Sequence, residues 1–228
     1  MEKEYIKIKI EKPTTPFSKN TDVLKTMNDD FWKGWVFYGL LSFYQNFDRT
    51  TLKQKIEKNS SRVEKVIADF IWNYLIKNPE FNGDCGFKIN REPLSDSNRE
   101  GYYDLKIEHS YWEKMFCFEC KNLKEKSKSN LIKQYINNGT YRYFNGKYVP
   151  NQDFGGMIGF VLEDNYLNIK AVIHDRLNDK FDITPEGDLI NIIDNSIQRK
   201  DFTFDSYHNR KNKEFVIHHL LFDFTQVY

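Results

Sequence analysis

Apolar and polar residues alternate along this chain with two periods, and each change of period marks an element. Residues 4–10, Glu-Tyr-Ile-Lys-Ile-Lys-Ile, alternate strictly and predict a strand, which Pro13 and Pro16 close. Residues 29–47 follow as a helix, with Asp29 or Asp30 as its N-cap. Its stretch 35–44 is apolar nearly all round and too short to span a bilayer. That predicts a buried helix, or a surface that docks a protein partner. Residues 61–77 carry the clearest helical period: Val63, Val66, Ile67, Phe70, Ile71, Tyr74 and Leu75 share one face. Ser61 and Glu64 match a capping box, and Asn78-Pro79 ends the helix. Glu64 either caps this helix or, one turn in at the edge of the apolar stripe, reaches a neighbouring sheet.

The period then shortens. Residues 83–89 predict a short strand, and 91–100 a polar loop. Residues 101–107 and 116–121 read as two strands with a turn at 108–113. Tyr102, Asp104 and Lys106 share one face of the first, opposite Tyr103, Leu105 and Ile107. On the second, Cys117, Glu119 and Lys121 point one way, while Phe116, Phe118 and Cys120 point the other. The Cys117-x-x-Cys120 spacing therefore splits across two faces, which argues against a zinc or redox pair. Two carboxylates and a lysine meet if the strands pair.

Downstream, Leu131, Ile132, Tyr135 and Ile136 form a short helix capped by Ser129 or Asn130, from which Gln134 projects. Residues 139–148 interleave aromatics with Arg142 and Lys147, a mix suited either to stacking on bases or to a packed helix end. Residues 155–162 read as a buried strand. Its three glycines imply close backbone approach rather than a phosphate loop, because no Gly-Lys-Ser/Thr follows. Residues 167–173 are a strand or a helix start, and 188–197 a short amphipathic helix. Ser206, His208 and Arg210 share a face if extended and precede a final strand at 215–224. His218 and His219 fall on opposite faces of that strand, one exposed and one in the core.

Composition narrows the partners. A formal net charge of +1 over 228 residues means that any nucleic-acid footprint is local. Between residues 121 and 133 five lysines stand against one glutamate. Such a run is a solvated loop or, beside a metal site, a phosphate contact. Three cysteines and no charged-then-apolar leader suggest a reducing, cytoplasmic setting and no membrane partner.

Asp104, then Glu119-x-Lys121 with fourteen residues between the two acids, behind a helix bearing Glu64, resembles the PD-(D/E)xK nuclease superfamily. Tyr103 stands where that family carries its proline, and Gln134-Tyr135 matches its Gln-x-x-x-Tyr element only in part. The resemblance covers about residues 60–162. It implies an α/β (α+β) fold, a mixed central sheet flanked by helices: a restriction-endonuclease-like core in a single domain, with additions at 1–59 and 163–228. It implies Mg²⁺ (or Mn²⁺) held by Asp104, Glu119 and Glu64, with Lys121 completing the catalytic set. Lys124, Lys126, Lys128, Gln134, Arg142, His208 and Arg210 are then the candidates to touch nucleic acid, DNA before RNA. Residues 139–148, the glycine-rich strand and the Ser-x-His-x-Arg tail also resemble nuclease-like proteins of bacterial defence systems. The other reading of the same fold is a non-catalytic subunit that binds a protein partner. On an ordinary exposed hairpin the Glu119–Lys121 pair would contribute only on the order of 0–1 kcal/mol.

Overall fold

The computed structural model describes residues 9–13, 26–84, 86–91, 103–109, 112–124, 130–145, 148–149, 151–181 and 187–228. Most of the strand expected at 4–10 lies outside these, as do most of the 91–100 loop, Lys126, Lys128 and Lys147.

Among the described residues, three helices precede the sheet. Helix α1 (Asp29–Asn46) takes in both expected caps, and the capping residue is Asn28, which accepts a hydrogen bond from the Phe31 N–H. Its all-round apolar surface is consumed inside the protein, with Trp32, Trp35, Val36, Phe37, Leu40, Leu41 and Phe43 buried. The stretch offered as a partner surface is core. Helix α2 (Arg49–Lys58) is capped by Asp48 through the Thr51 N–H. Helix α3 (Val63–Lys77) buries Val63, Ile67, Ala68, Ile71 and Leu75 along one stripe, as its period requires.

A seven-stranded mixed sheet follows. The strands are β1 (Phe87–Arg91), β2 (Leu105–His109), β3 (Trp112–Leu123), β4 (Phe154–Val161), β5 (Asp188–Asp194), β6 (Thr203–Arg210) and β7 (Lys213–Asp223). Their spatial order is β1-β2-β3-β4-β7-β6-β5. Strands β1, β2 and β3 form an antiparallel meander, β4 lies parallel to both β3 and β7, and β7, β6 and β5 are antiparallel again. The C-terminal segment thus supplies three strands of one continuous sheet. Between β3 and β4 the chain passes through the short helix α4 (Leu131–Gln134) and tighter turns to residue 143. Helix α5 (Tyr166–Phe181) occupies the 167–173 stretch that was open to either reading. No helix of the described residues is long and apolar enough to cross a membrane.

Both faces of the central sheet are covered. Phe116 on β3 meets Phe37 of α1, whereas Glu119 points to the segment carrying Arg142 and Tyr148. All eight residues of β4 are buried. A Cβ on Gly155 would collide with the Tyr143 ring, and one on Gly156 with the Phe118 ring. The glycines admit aromatic rings directly onto the strand, as their sequence context predicts.

Two expectations fail. Residues 188–194 form the edge strand β5 instead of a helix. Leu189, Ile190, Ile192, Ile193 and Ile197 have a helical spacing, but the β-branched run and pairing to β6 override it, and a bulge between Leu189 and Asn191 absorbs the break in alternation. Ile190 and Ile193 remain exposed on it. Ser206, His208 and Arg210 share a face as expected, but they lie within β6 and not in a polar segment ahead of the last strand.

Gly156→Ala should destabilise the protein by about 1–3 kcal/mol, because the Phe118 ring has no free volume to yield. Urea unfolding of both proteins measures this, and an unchanged midpoint would contradict the packing.

Candidate active site

The site grows from a mismatch in strand length. The β2–β3 ladder ends at Leu105 and Phe118, but β3 continues beside β4 as far as Leu123. Past Phe118, the β3 edge that faced β2 needs other partners. Two carboxylates provide them. Asp104, one residue before β2, accepts a hydrogen bond from the Cys120 N–H at 2.6 Å through Oδ2. Glu64, in the first turn of α3, accepts one from the Asn122 N–H at 3.1 Å through Oε2. The capping box of Ser61 and Glu64 does not form: a tight turn over residues 60–62 precedes α3, and no side chain caps it. The Glu64 carboxylate is committed to the sheet instead.

Lys121 lies between these two contacts. Its Nζ donates to the Cys120 carbonyl at 2.7 Å and to Glu64 Oε1 at 3.2 Å, and it pairs with Glu119 Oε1 at 2.8 Å. Glu119 itself is almost completely buried. Its Oε1 also accepts from Arg142 Nη1 at 2.9 Å, and its Oε2 from the Tyr148 hydroxyl at 2.6 Å. The Glu119–Lys121 pair is therefore an enclosed ion pair and not an exposed pair on a hairpin. Arg91, at the end of β1, donates to the Asp104 carbonyl at 3.0 Å and lies 3.7 Å from Asp104 Oδ1.

The charges act on one another. Burial, then the Glu119 charge, push the Asp104 carboxyl up to about 7, against Lys121 and the Cys120 N–H. Burial pulls the Lys121 pKa down, but Glu119, Glu64 and Asp104 together outweigh it and hold the ammonium above the ordinary lysine range. Lys121 is consequently a permanent cation at neutral pH and has no lone pair to act as a base.

The oxygens gathered here are of the kind a hard cation takes. Two carboxylate oxygens and a backbone carbonyl already surround one positive charge, the Lys121 ammonium. Asp104 turns to Cys120 and Arg91 instead. Among the described residues, no three His, Cys, Asp or Glu side chains are arranged to hold one ion.

The remaining candidates disperse. Lys124 pairs with Glu163 and the Tyr228 hydroxyl, each at 2.7 Å. Gln134 is exposed on α4. Arg142 belongs to the site through Glu119. Arg210 is not available to nucleic acid in this structure: it donates to the carbonyls of Tyr143, Val149 and Gln152 and lies over the Phe215 ring. It holds the Tyr148 loop against β6. His208 is fully buried, which removes it from any nucleic-acid groove. It belongs to a closed chain of hydrogen bonds running from Tyr135 Oη to His219, Ser206, His208 and the Gly187 carbonyl, with links of 2.8, 2.9, 2.9 and 2.9 Å. The carbonyl can only accept, so His208 Nδ1 carries the hydrogen, Ser206 donates to His208 Nε2, His219 donates to Ser206, and Tyr135 donates to His219 Nδ1. His218 is buried as well, on the opposite face, with Nδ1 2.9 Å from Asp205. Neither histidine is exposed.

Sequence reasoning missed Arg91 and the role of Tyr148. Tyr148 lay in the flagged aromatic segment, but nothing local marks it as the partner of Glu119. It also missed Asn122, whose side-chain oxygen is buried without a hydrogen-bond partner two residues from Cys120. No family model, curated protein or solved structure matches the chain.

Burial drives the His208 pKa down to about 4. The unfolded chain takes up this proton near pH 6.5 and the folded chain does not. Stability therefore falls as pH drops from about 6.5 to about 4. His208→Leu should lose about 1–3 kcal/mol at pH 7.5 by orphaning Ser206 and Gly187, yet decline less steeply on acidification. Unfolding curves at pH 7.5 and 5 test both effects, and parallel pH slopes for the two proteins would refute the second.

Proposed function

We propose that this chain is a metal-dependent nuclease that hydrolyses phosphodiester bonds, DNA being the expected substrate, and that it works as a cytoplasmic effector of a bacterial defence system. The observation that carries the reading is the assembly around Lys121. Glu64, Glu119 and the Cys120 carbonyl converge on its ammonium, with Asp104 at the next contact of the same strand edge. Four residues spread over 58 positions of the chain meet where β3 loses its neighbour. The order Glu, Asp, Glu-x-Lys is that of the PD-(D/E)xK superfamily, and the mixed sheet flanked by helices agrees with it.

A Mg²⁺ or Mn²⁺ ion held by Glu119, Glu64 and Asp104 would acidify a bound water and screen charge on the phosphate. The chain's own residues do the rest. Lys121, fixed as an ammonium, orients the attacking water or faces the charge that builds on the phosphoryl oxygens. Because it cannot take a proton, the proton of that water leaves by another acceptor. With Asp104 committed to the metal, that acceptor is a solvent water or a phosphate oxygen of the substrate.

A second reading keeps the fold without catalysis. It is favoured by the saturation of Glu119, both of whose oxygens already have protein partners. The cluster would then be a structural ion-pair network in a subunit that binds another protein.

One assay separates the two. The purified protein should cut plasmid or linear DNA with Mg²⁺ and stop when chelator is added. Lys121→Ala should lose on the order of 10²–10³-fold in rate, and Glu119→Ala should lose more. Equal cutting by both variants sinks the assignment, and no cutting by the wild type across DNA and RNA substrates favours the non-catalytic subunit.

A further inference from the structure

Two cations share one oxygen in this site. Lys121 Nζ lies 2.8 Å from Glu119 Oε1, and Arg142 Nη1 lies 2.9 Å from the same atom. The same Nη1 donates to the Tyr148 hydroxyl at 2.7 Å, and that hydroxyl donates to Glu119 Oε2 at 2.6 Å. Arg142, Tyr148 and Glu119 thus form a closed ring that occupies both carboxylate oxygens. The members differ in access to water. The Glu119 side chain is 2% exposed and that of Lys121 14%, whereas that of Arg142 is 32% exposed. Arg142 is the member of the ring that can leave.

Charge gives a reason for it to leave. Glu64, Asp104 and Glu119 oppose Lys121 and Arg142, so the cluster carries one net negative charge with Asp104 ionised and none with it protonated, and Arg91 is shared between Asp104 and Asp69. A divalent ion entering with both cations in place would make the cluster positive. A phosphodiester brings one negative charge, and its two free oxygens match the planar fork of a guanidinium. Arg142 would exchange one anion for another of equal charge and better geometry.

The geometry points to Arg142 as an exchangeable clamp: it holds Glu119 in the resting protein, moves to a nucleic-acid phosphate in the complex, and so couples metal binding to substrate binding. This inference rests on the nuclease reading and adds a regulation to it. By linkage, nucleic acid raises metal affinity by the same factor as metal raises nucleic-acid affinity. Without nucleic acid the site holds metal weakly.

The test is Mn²⁺ titration of metal-free protein by calorimetry, with and without phosphorothioate DNA or RNA oligonucleotides that resist cleavage. In the wild type an oligonucleotide should raise Mn²⁺ affinity about tenfold. Arg142→Gln should bind Mn²⁺ about tenfold more tightly than the wild type in the absence of oligonucleotide, and should lose most of the rise. Arg142→Lys, which keeps the charge without the fork, should keep the low resting affinity and lose the response. It also carries the test if circular dichroism shows Arg142→Gln unfolded. Mn²⁺ affinity that is unaffected by oligonucleotide, or an Arg142→Gln protein that binds Mn²⁺ no tighter than the wild type, overturns the clamp. In that case the nuclease reading stands as long as Glu119→Gln abolishes the binding. Wild-type protein that binds no Mn²⁺ under either condition overturns both.

Discussion

The site depends on a backbone requirement. Strand β3 outruns β2, and its N–H groups at Cys120 and Asn122 need acceptors where a neighbouring strand would have supplied them. Acidic side chains from a loop and a helix take the place of that strand. The consequence is electrostatic. Two carboxylates held at successive rungs, with a third on the face between them, make a field that only a cation can settle. Lys121 is that cation, and its ammonium is locked by the charges it neutralises. Ladder geometry, helix placement and side-chain charge are thus a single problem with one shared solution.

Around this edge, a set of buried and half-buried polar contacts holds Glu119 and its surroundings still. Arg210 grips three carbonyls of the loop that carries Tyr148, and Tyr103 accepts from the Val149 N–H. The Tyr135–His219–Ser206–His208 chain fastens the segment after α4 to β7 and β6. These groups are buried and mutually satisfied, a condition under which polar networks make a structure more rigid. The tail residues that looked like candidates for chemistry belong to this scaffold.

How much of this was legible follows from the range of each interaction. Alternation on β3 put Glu119 and Lys121 on one face, and the helical period of residues 61–77 brought Glu64 to the edge of its stripe. Both are local signals, and both fix direction. The glycines of β4 announced close approach because so little else explains three of them in a buried strand. What stayed hidden depends on partners distant in sequence. Tyr148 meets Glu119 across 29 positions, and no local pattern records that. Residues 188–194 carry a helical spacing, and only pairing to β6, across a bulge, overrides it. His208 and Arg210 have polar side chains of types usually found at surfaces, and the sequence holds no sign that β6 would lie inside the sheet.

The outer strand β5 has a consequence of its own. Among the described residues no strand pairs with its outer edge, and such an edge, with Ile190 and Ile193 in the open, is the kind of template on which chains polymerise. Yet the strand begins and ends with an aspartate, and Asn191 sits at its centre. Antiparallel stacking of two copies about Asn191 would set Asp188 of each against Asp194 of the other, bringing a second carboxylate to one that Lys170 already holds at 2.8 Å. Acids at both ends of an edge strand work against such pairing.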